Sequence, residues 1–328
     1  MFRAKPVSLL LALGVGSGAL SAVVPASAQD AGRVTLVVPL AAGGAMDTIV
    51  RVLAPRLQTL LGKPVIVENR TGGGTVTAAV SVAKAAPDGN TLLIAPSGTL
   101  TTNVALYKQL TYDPVKDFTP VALYARVPFV LVANTQSGIR SIKDLVEQAK
   151  ANPGRLTYAS TGVGATPHLA GEMLRSMTGI DIAHVPYRGS PPALNDLVGG
   201  HVQLTFADPA IVQQLIESKQ VSPIGVSSAT RMAALPNVPT LAEAGLPGFD
   251  AVSWHMVMAP VGTPQPIIAR LNAAIREFAT APEVEKQMTG MGMMAVATPE
   301  PGALSAFLTS EIARWSKIVS QAGVAGSQ

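Results

Sequence analysis

Short apolar runs alternating with amphipathic patterns constrain this chain most. "VTLVVPL" at 34–40 is a continuous apolar run of strand length, after which Ile49, Leu53, Leu57, Leu60 and Leu61 recur at helical spacing. "VIVE" (65–68) and "TLLIA" (91–95) read as further strands, separated by the helical "TVTAAVSVAKAA" and the turn Pro87-Asp88-Gly89. A strand–helix–strand order of this kind predicts a mostly parallel sheet with helices on both faces, because a parallel partner is reached only through a crossover.

The apolar stretch 119–134, "TPVALYARVPFVLVAN", reads as a crossover into a second lobe. There Ser141 and Asp144 form a capping box before "LVEQAKA". Strands at 156–160, 182–187, 202–207 and 221–228 then alternate with helices at 166–177, 191–198 and 210–218. "LPNVPTLAEAGLPGF" (235–249) is the expected return crossing, and 264–328 reads as helical. Thr263-Pro264 and Thr298-Pro299 each read as an N-cap followed by a first-turn proline, and Leu304, Phe307, Leu308, Ile312 and Trp315 form one stripe. The expected architecture is α/β with two lobes, 29–125 with 255–328 and 126–254. Its sheets are mixed and mostly parallel, and a ligand cleft lies between the lobes at the carboxyl ends of the strands.

Residues 1–28 read as a secretory signal: Arg3 and Lys5, an uncharged apolar run, then Ala26-Ser27-Ala28. Removing them takes the formal charge from +4 to +2, and the remaining basic residues are scattered, which leaves no footprint for nucleic acid. Cysteine is absent, so disulfides and thiol catalysis are excluded. The expected location is the periplasm.

Four glycine-containing loops follow predicted strands: Ala41-Ala42-Gly43-Gly44, "NRTGGGTVT" (69–77), "SGTLTTN" (97–103) and "STGVGATPH" (160–168). Such loops aim N–H groups at a helix start, where the dipole favours an anion, and their hydroxyls add donors. None is a nucleotide loop. The Walker lysine is missing, a third glycine at dinucleotide spacing is missing, and Asp181 precedes its strand instead of ending it. A bulky side chain at Gly44 is expected both to block a ligand and to strain the turn.

No catalytic constellation is visible. His168, His184, His201 and His255 have no metal-ligand spacing, and no G-x-S-x-G elbow surrounds Ser160. His168 reads as a partly buried helix residue bonded to a loop carbonyl. Asp47 either braces its loop or meets a ligand amine. Arg188 either pairs with an anionic ligand or bridges the lobes. Tyr187 and Trp254 either wall a pocket or belong to the core. No cofactor and no metal are expected.

Taken in order, "VVPLAAGGAMDTIVR", "VIVENRTGGG", "AKAAPDGNTLL", "DFTPVALYARVPFVLVAN", "ANPGRLTYASTGVGATPHLAGEM", "HVPYRGSPPALNDLVGGHVQLTFAD", "LPNVPTLAEAGLPGF" and "APVGTPQPIIARLN" resemble the Bug-type extracytoplasmic solute receptors. These are the substrate-binding proteins of tripartite tricarboxylate transporters. The resemblance covers essentially the whole chain after residue 28. It implies a monomeric periplasmic receptor that closes on a small organic carboxylate and serves the membrane subunits of such a transporter. It also implies that backbone amides and Ser/Thr side chains hold the carboxylate, partly through water. Carried onto this sequence, the site comprises Ala42, Gly43, Gly44 and Asp47, with Ser97 and Thr99 on a neighbouring loop. The second lobe contributes Ser160, Gly162, Gly164, Ala165, Thr166 and His168, then Tyr187, Arg188 and Asp208. The family's "PGAGG" reads Thr71-Gly72-Gly73-Gly74 here, so that loop is not assigned further. A sensor without transport, or an exported enzyme, are the alternatives. The acid itself stays open: aspartate, glutamate, nicotinate, citrate, an aromatic acid or a terephthalate-like diacid.

Overall fold

Val34–Val38 (β1) is buried along its whole length, as a strand must be when helices cover both faces of its sheet. It lies parallel between Val65–Asn69 (β2) and Thr91–Pro96 (β3), with Leu36 opposite Val67 and Leu92. These elements belong to a computed structural model that describes Met1 and residues 32–328 apart from Arg188. The expected signal segment and its cleavage site lie outside the described residues, as does Arg188. Ala45–Leu61 (α1) leads from β1 to β2, burying Ile49, Val50, Leu53 and Leu57, while Leu60 is on the exposed side. Val76–Ala83 (α2) connects β2 to β3.

Two short helices, Ser97–Leu100 (α3) and Thr102–Leu106 (α4), follow β3 where the sequence predicts an open loop. Local bonds fold it. Thr101 Oγ1 donates to Ser97 O at 2.8 Å, and the Tyr112 hydroxyl donates to Thr99 O. Phe118–Val127 (β4) pairs antiparallel with Ser253–Pro260 (β10), which pairs antiparallel with β3, and Met294–Ala295 (β11) adds a short edge. The first sheet therefore has the order β11–β4–β10–β3–β1–β2.

After Pro128 and Phe129 the chain enters the second sheet as Val130–Asn134 (β5). Ile142–Ala151 (α5), Thr157–Ser160 (β6), Thr166–Thr178 (α6), Ala183–Pro186 (β7), Ser190–Val198 (α7), Leu204–Ala207 (β8), Pro209–Glu217 (α8) and Val221–Val226 (β9) follow. Ser141 caps α5 by accepting the Asp144 N–H at 3.1 Å, as the capping box predicts. The strand order is β7–β6–β8–β5–β9. Strand β6 is parallel to β7 and β8, whereas β5 is antiparallel to β8 and β9. The parallel order legible in the sequence holds for β2–β1–β3 and for β7–β6–β8. The strand that enters each sheet after a crossing, β5 or β10, runs antiparallel to both its neighbours.

Residues 227–252 return to the first sheet, burying Leu241, Leu246, Phe249 and Ala251 in the second core on the way. Gln265–Ala279 (α9) and Pro282–Gly290 (α10) cover the first sheet together with α1. Pro301–Gln321 (α11) then packs on both cores. Its Leu304 and Leu308 join Trp254 and Met256, while its Trp315, Ile318 and Val319 join Tyr158, Leu169 and Phe249. The helix starts after Glu300, so Thr298 is not its cap. Thr298 Oγ1 instead accepts the buried Leu123 N–H at 2.8 Å, where the β4–β10 ladder is irregular.

Glu311 is the buried polar centre of α11. Its Oε2 accepts the Trp254 Nε1–H at 2.9 Å and the Trp315 Nε1–H at 3.1 Å, and its Oε1 takes Arg314 at 3.1 Å. Trp254 is therefore a core residue, not a pocket wall. Glu311→Ala leaves two buried indole donors unpaired and is expected to destabilise the fold by about 2–4 kcal/mol. Glu311→Gln keeps an acceptor and should cost about half as much. Urea unfolding midpoints of the two variants check this.

Candidate functional site

The first glycine loop leaves β1 and turns at Gly43, whose φ of +83° is open to glycine and strained for other residues. Gly44 has φ −73° and ψ 167°, ordinary extended backbone, and a Cβ built on it would meet Ala41 O at 3.6 Å. The conformational demand expected at Gly44 is thus at Gly43. Asp47, buried in the first turn of α1, holds the turn: its Oδ2 accepts the Gly43 N–H at 2.9 Å and Arg51 Nε at 2.9 Å. Its Oδ1 accepts Asn69 Nδ2 at 2.9 Å, and the same amide donates to Leu40 O at 3.0 Å. The Arg51 bond, helped by those from Gly43 and Asn69, outweighs burial and holds the Asp47 carboxyl at about 2. Of the two readings of Asp47, bracing is the one its bonds display. Ala42, Gly43 and Gly44 are exposed above this brace.

Ser97 and Thr99 are buried at the head of β3. Ser97 Oγ lies 3.0 Å from Ser253 Oγ, and Thr99 Oγ1 lies 2.6 Å from Thr75 Oγ1. Thr75 is a β-branched residue at φ 81°, following three glycines that also have positive φ. Backbone strain of this kind persists where surrounding contacts over-determine it.

In the second sheet, Ser160 ends β6 and is sealed under its own loop. Its Oγ accepts the Gly162 N–H at 3.2 Å, lies 3.1 Å from Gly162 O, and meets His184 Nε2 at 2.7 Å. His168 is buried in α6, and its Nδ1 accepts the Gly164 N–H at 3.1 Å, so its partner is a loop amide where a carbonyl is expected. Gly164 has φ +78°, and a Cβ on it would lie 2.5 Å from Leu106 Cδ2 at the end of α4. The loop therefore rests directly on the half built around the first sheet. Ala165 is the extended N-cap of α6, and Thr166 its first residue. A second contact between the halves joins Gly292 to Pro209, with a built Cβ 3.0 Å from Pro209 Cβ.

Tyr187 sends its hydroxyl to Asp196 Oδ2 at 2.5 Å, on α7 of its own half, and burial with that carboxylate pushes the phenol up to about 12. Its N–H donates to Ser160 O at 2.9 Å. Asp208 caps α8, accepting the Ala210 N–H at 3.0 Å, while burial raises its carboxyl above the usual range. The sequence reading passes over Thr75, Asn69, Ser253 and the role of His184. Only the strand register that sets Tyr158 opposite His184 brings that imidazole beneath Ser160.

Among the described residues, no group of three or more His, Cys, Asp or Glu could hold a metal, and no helix is long and apolar enough to cross a membrane. Two α/β halves with two crossings, a shared helix and glycine loops at the carboxyl ends of parallel strands define a two-lobe solute-binding protein. The profile of the family described as "Tripartite tricarboxylate transporter family receptor" matches residues 49–324, and the chain belongs to that family. Members are solute-binding receptors, not enzymes. BugT of Bordetella pertussis is 36% identical over 319 residues, covering 96% of this chain and 97% of its own. Among solved structures, R. palustris Rpa4515 with adipate has a TM-score of 0.77 at 38% identity, covering 89% of this chain and 98% of that one. MatC from Rhodopseudomonas palustris with bound malate has a TM-score of 0.73 at 35% identity, covering 88% and 98%.

Two groups of the site set separate acid limits. Burial, reinforced by His168, holds His184 at about 4 against an ordinary 6.5. The unfolded chain binds that proton first, so the folded state loses stability as pH falls from about 6.5 to about 4. Asp47 has the opposite chemistry: its contribution is complete above 3.8 and is lost as pH falls toward about 2. Scanning calorimetry should show Tm falling through both windows, the upper slope reduced in His184→Gln and the lower in Asp47→Asn.

Proposed function

We propose that this chain is the exported receptor of a tripartite tricarboxylate-type transporter and closes on a small dicarboxylate, which it passes to the membrane subunits. The observation that carries this reading is the pair of loops after β1 and β6. Residues 41–47 and 160–166 contain no Lys or Arg, are mostly small, and each lead from the end of a strand into a helix. Neutral donors and helix N-termini suit a carboxylate, and charge-assisted N–H bonds of about 1.5–3 kcal/mol each offset its desolvation. Adipate and malate, held by the two structural relatives, are both dicarboxylates. The lobes in this proposal are 29–125 with 255–328 and 126–254, and the receptor acts as a monomer. Ala42, Gly43, Gly44, Ser97, Thr99, Ser160, Gly162, Gly164, Ala165, Thr166 and Asp208 surround the ligand. Asp47, His168 and Tyr187 support them from behind.

Calorimetric titration with malate and adipate is expected to show one site per chain for at least one acid. Gly43→Val, which both strains the turn and fills the approach, should abolish binding. Gly44→Val should weaken it through bulk alone, and Ser160→Ala by about tenfold, or about 1.4 kcal/mol. Arg188→Ala is the control for a salt bridge to the distal carboxylate. Full affinity in Gly43→Val, with binding lost only in Arg188→Ala, would overturn the neutral-donor reading. Closure predicts a smaller radius of gyration with ligand by small-angle scattering.

Export is proposed from the sequence of the first 28 residues. Mass analysis of periplasmic protein should find Gln29 at the N-terminus; an intact Met1 on membrane-bound protein would count against it.

A further inference from the structure

Two imidazoles lie beneath the loop 160–166 and take up both of its ends. At the far end, the Gly164 N–H donates to His168 Nδ1 at 3.1 Å. A backbone N–H can only donate, so this nitrogen carries its lone pair and His168 is neutral, with its proton on Nε2. At the near end, Ser160 Oγ receives the Gly162 N–H and lies within bonding distance of Gly162 O and His184 Nε2. The single hydroxyl proton satisfies all three partners in one arrangement: His184 Nε2–H donates to Oγ, and Oγ–H donates to Gly162 O. The two rings stack with centroids 4.0 Å apart and planes at 25°. Val163, between the two anchored ends, is exposed.

Among the described residues, the Gly164 N–H is the hydrogen-bond partner of the His168 ring, and Glu172 faces its other nitrogen. From β6, the Tyr158 hydroxyl donates to Glu172 Oε1 at 2.5 Å. On α6 itself, both Glu172 oxygens also take Arg175 at 2.9–3.0 Å, and Glu172 Oε1 lies 4.0 Å from His168 Nε2. From β7 comes His184, and from α4 comes Leu106 beneath Gly164. Helix α11, packed in the same core as α6, brings the apolar Trp315, Ile318 and Val319.

We propose that His168 and His184 are positioning residues of the carboxylate site: as a stacked neutral pair they fix the loop 160–166, and one proton on His168 Nδ1 turns Gly164's acceptor into a donor and releases that loop. The inference rests on the carboxylate reading above for what the loop holds, but not for how the loop is held. Burial keeps both histidines below the ordinary range, His184 at about 4, so the pair is neutral near pH 7 and its loss belongs to acid. Two cations stacked at this distance repel, so the first proton opposes the second.

The test uses His168→Asn and His168→Leu. An Asn Oδ1 occupies the place of Nδ1 and accepts the Gly164 N–H without titrating, whereas Leu offers no acceptor. In ligand-free protein, amide-exchange protection of Gly164, corrected for intrinsic rates, should fall in the native chain between pH 7.5 and 4.5. It should persist in His168→Asn and be absent in His168→Leu throughout. Titrated with malate and adipate at pH 7.5, His168→Leu should bind about tenfold more weakly, and His168→Asn should recover most of that loss. At pH 4.5 the native chain should lose several-fold more affinity than His168→Asn, a comparison that cancels titration of the acids themselves. Protection that falls alike in the native chain and His168→Asn, or survives in His168→Leu, overturns the proposal. If protection follows the expected pattern but neither acid binds at pH 7.5, the loop support stands and the ligand reading fails.

Discussion

The fold depends on one helix serving two cores. Helix α11 supplies Leu304 and Leu308 to the first core and Trp315, Ile318 and Val319 to the second. Between these groups Glu311 is buried, with two indole donors on one oxygen and Arg314 on the other. A buried carboxylate is tolerable only when its bonding capacity is filled. Here the filling couples β10, which opens the return into the first sheet, to the helix that walls the second core. Arg314 also donates to Asp250 O, and Asp250 pairs with Arg126 at the end of β4, so the same cluster reaches the first crossing. Motion of one half relative to the other has to be accommodated around this cluster.

On that frame the two loops are held by different means. The first is braced by a charged network, Asp47 with Arg51 and Asn69, which fixes Gly43 from behind and leaves residues 42–44 in the open. The second is braced by neutral rings and a hydroxyl. In both, side chains that look like candidate contacts from the sequence are spent on shaping the backbone. In the proposed carboxylate site, the surface offered to a solute would then be mostly main chain and small residues, setting the anion against fixed dipoles instead of mobile cations.

Much of this was legible in the sequence. Continuous apolar runs located β1, β3 and β8, and the glycine-rich stretches marked loops that follow strands; 119–134, read as one crossing, is instead two strands, β4 and β5. The family segments placed the loops in order. Other features arise only in three dimensions. Thr298 looks like a helix cap because threonine precedes proline, but the unpaired N–H of Leu123 claims its hydroxyl. Paired glycines do not disclose which of the two has positive φ. His184 is 24 residues from Ser160, and only the parallel β6–β7 register joins them. The stripe on α11 was readable as a stripe, although nothing local indicates that its two ends enter different cores.

The sharing of α11 also has a consequence for how the chain reaches its final state. Neither core has all its walls until residues 301–321 are in place, although the other members of each begin far upstream, at Leu131 in one case and Val37 in the other. Such contacts close very long loops, and folding slows as the sequence separation of its contacts grows. A ribosome-bound chain that ends before α11 holds two unsealed apolar surfaces, not one finished lobe and one unfinished. Helix α11 therefore acts as a timer, delaying completion of both halves until residues 301–321 exist.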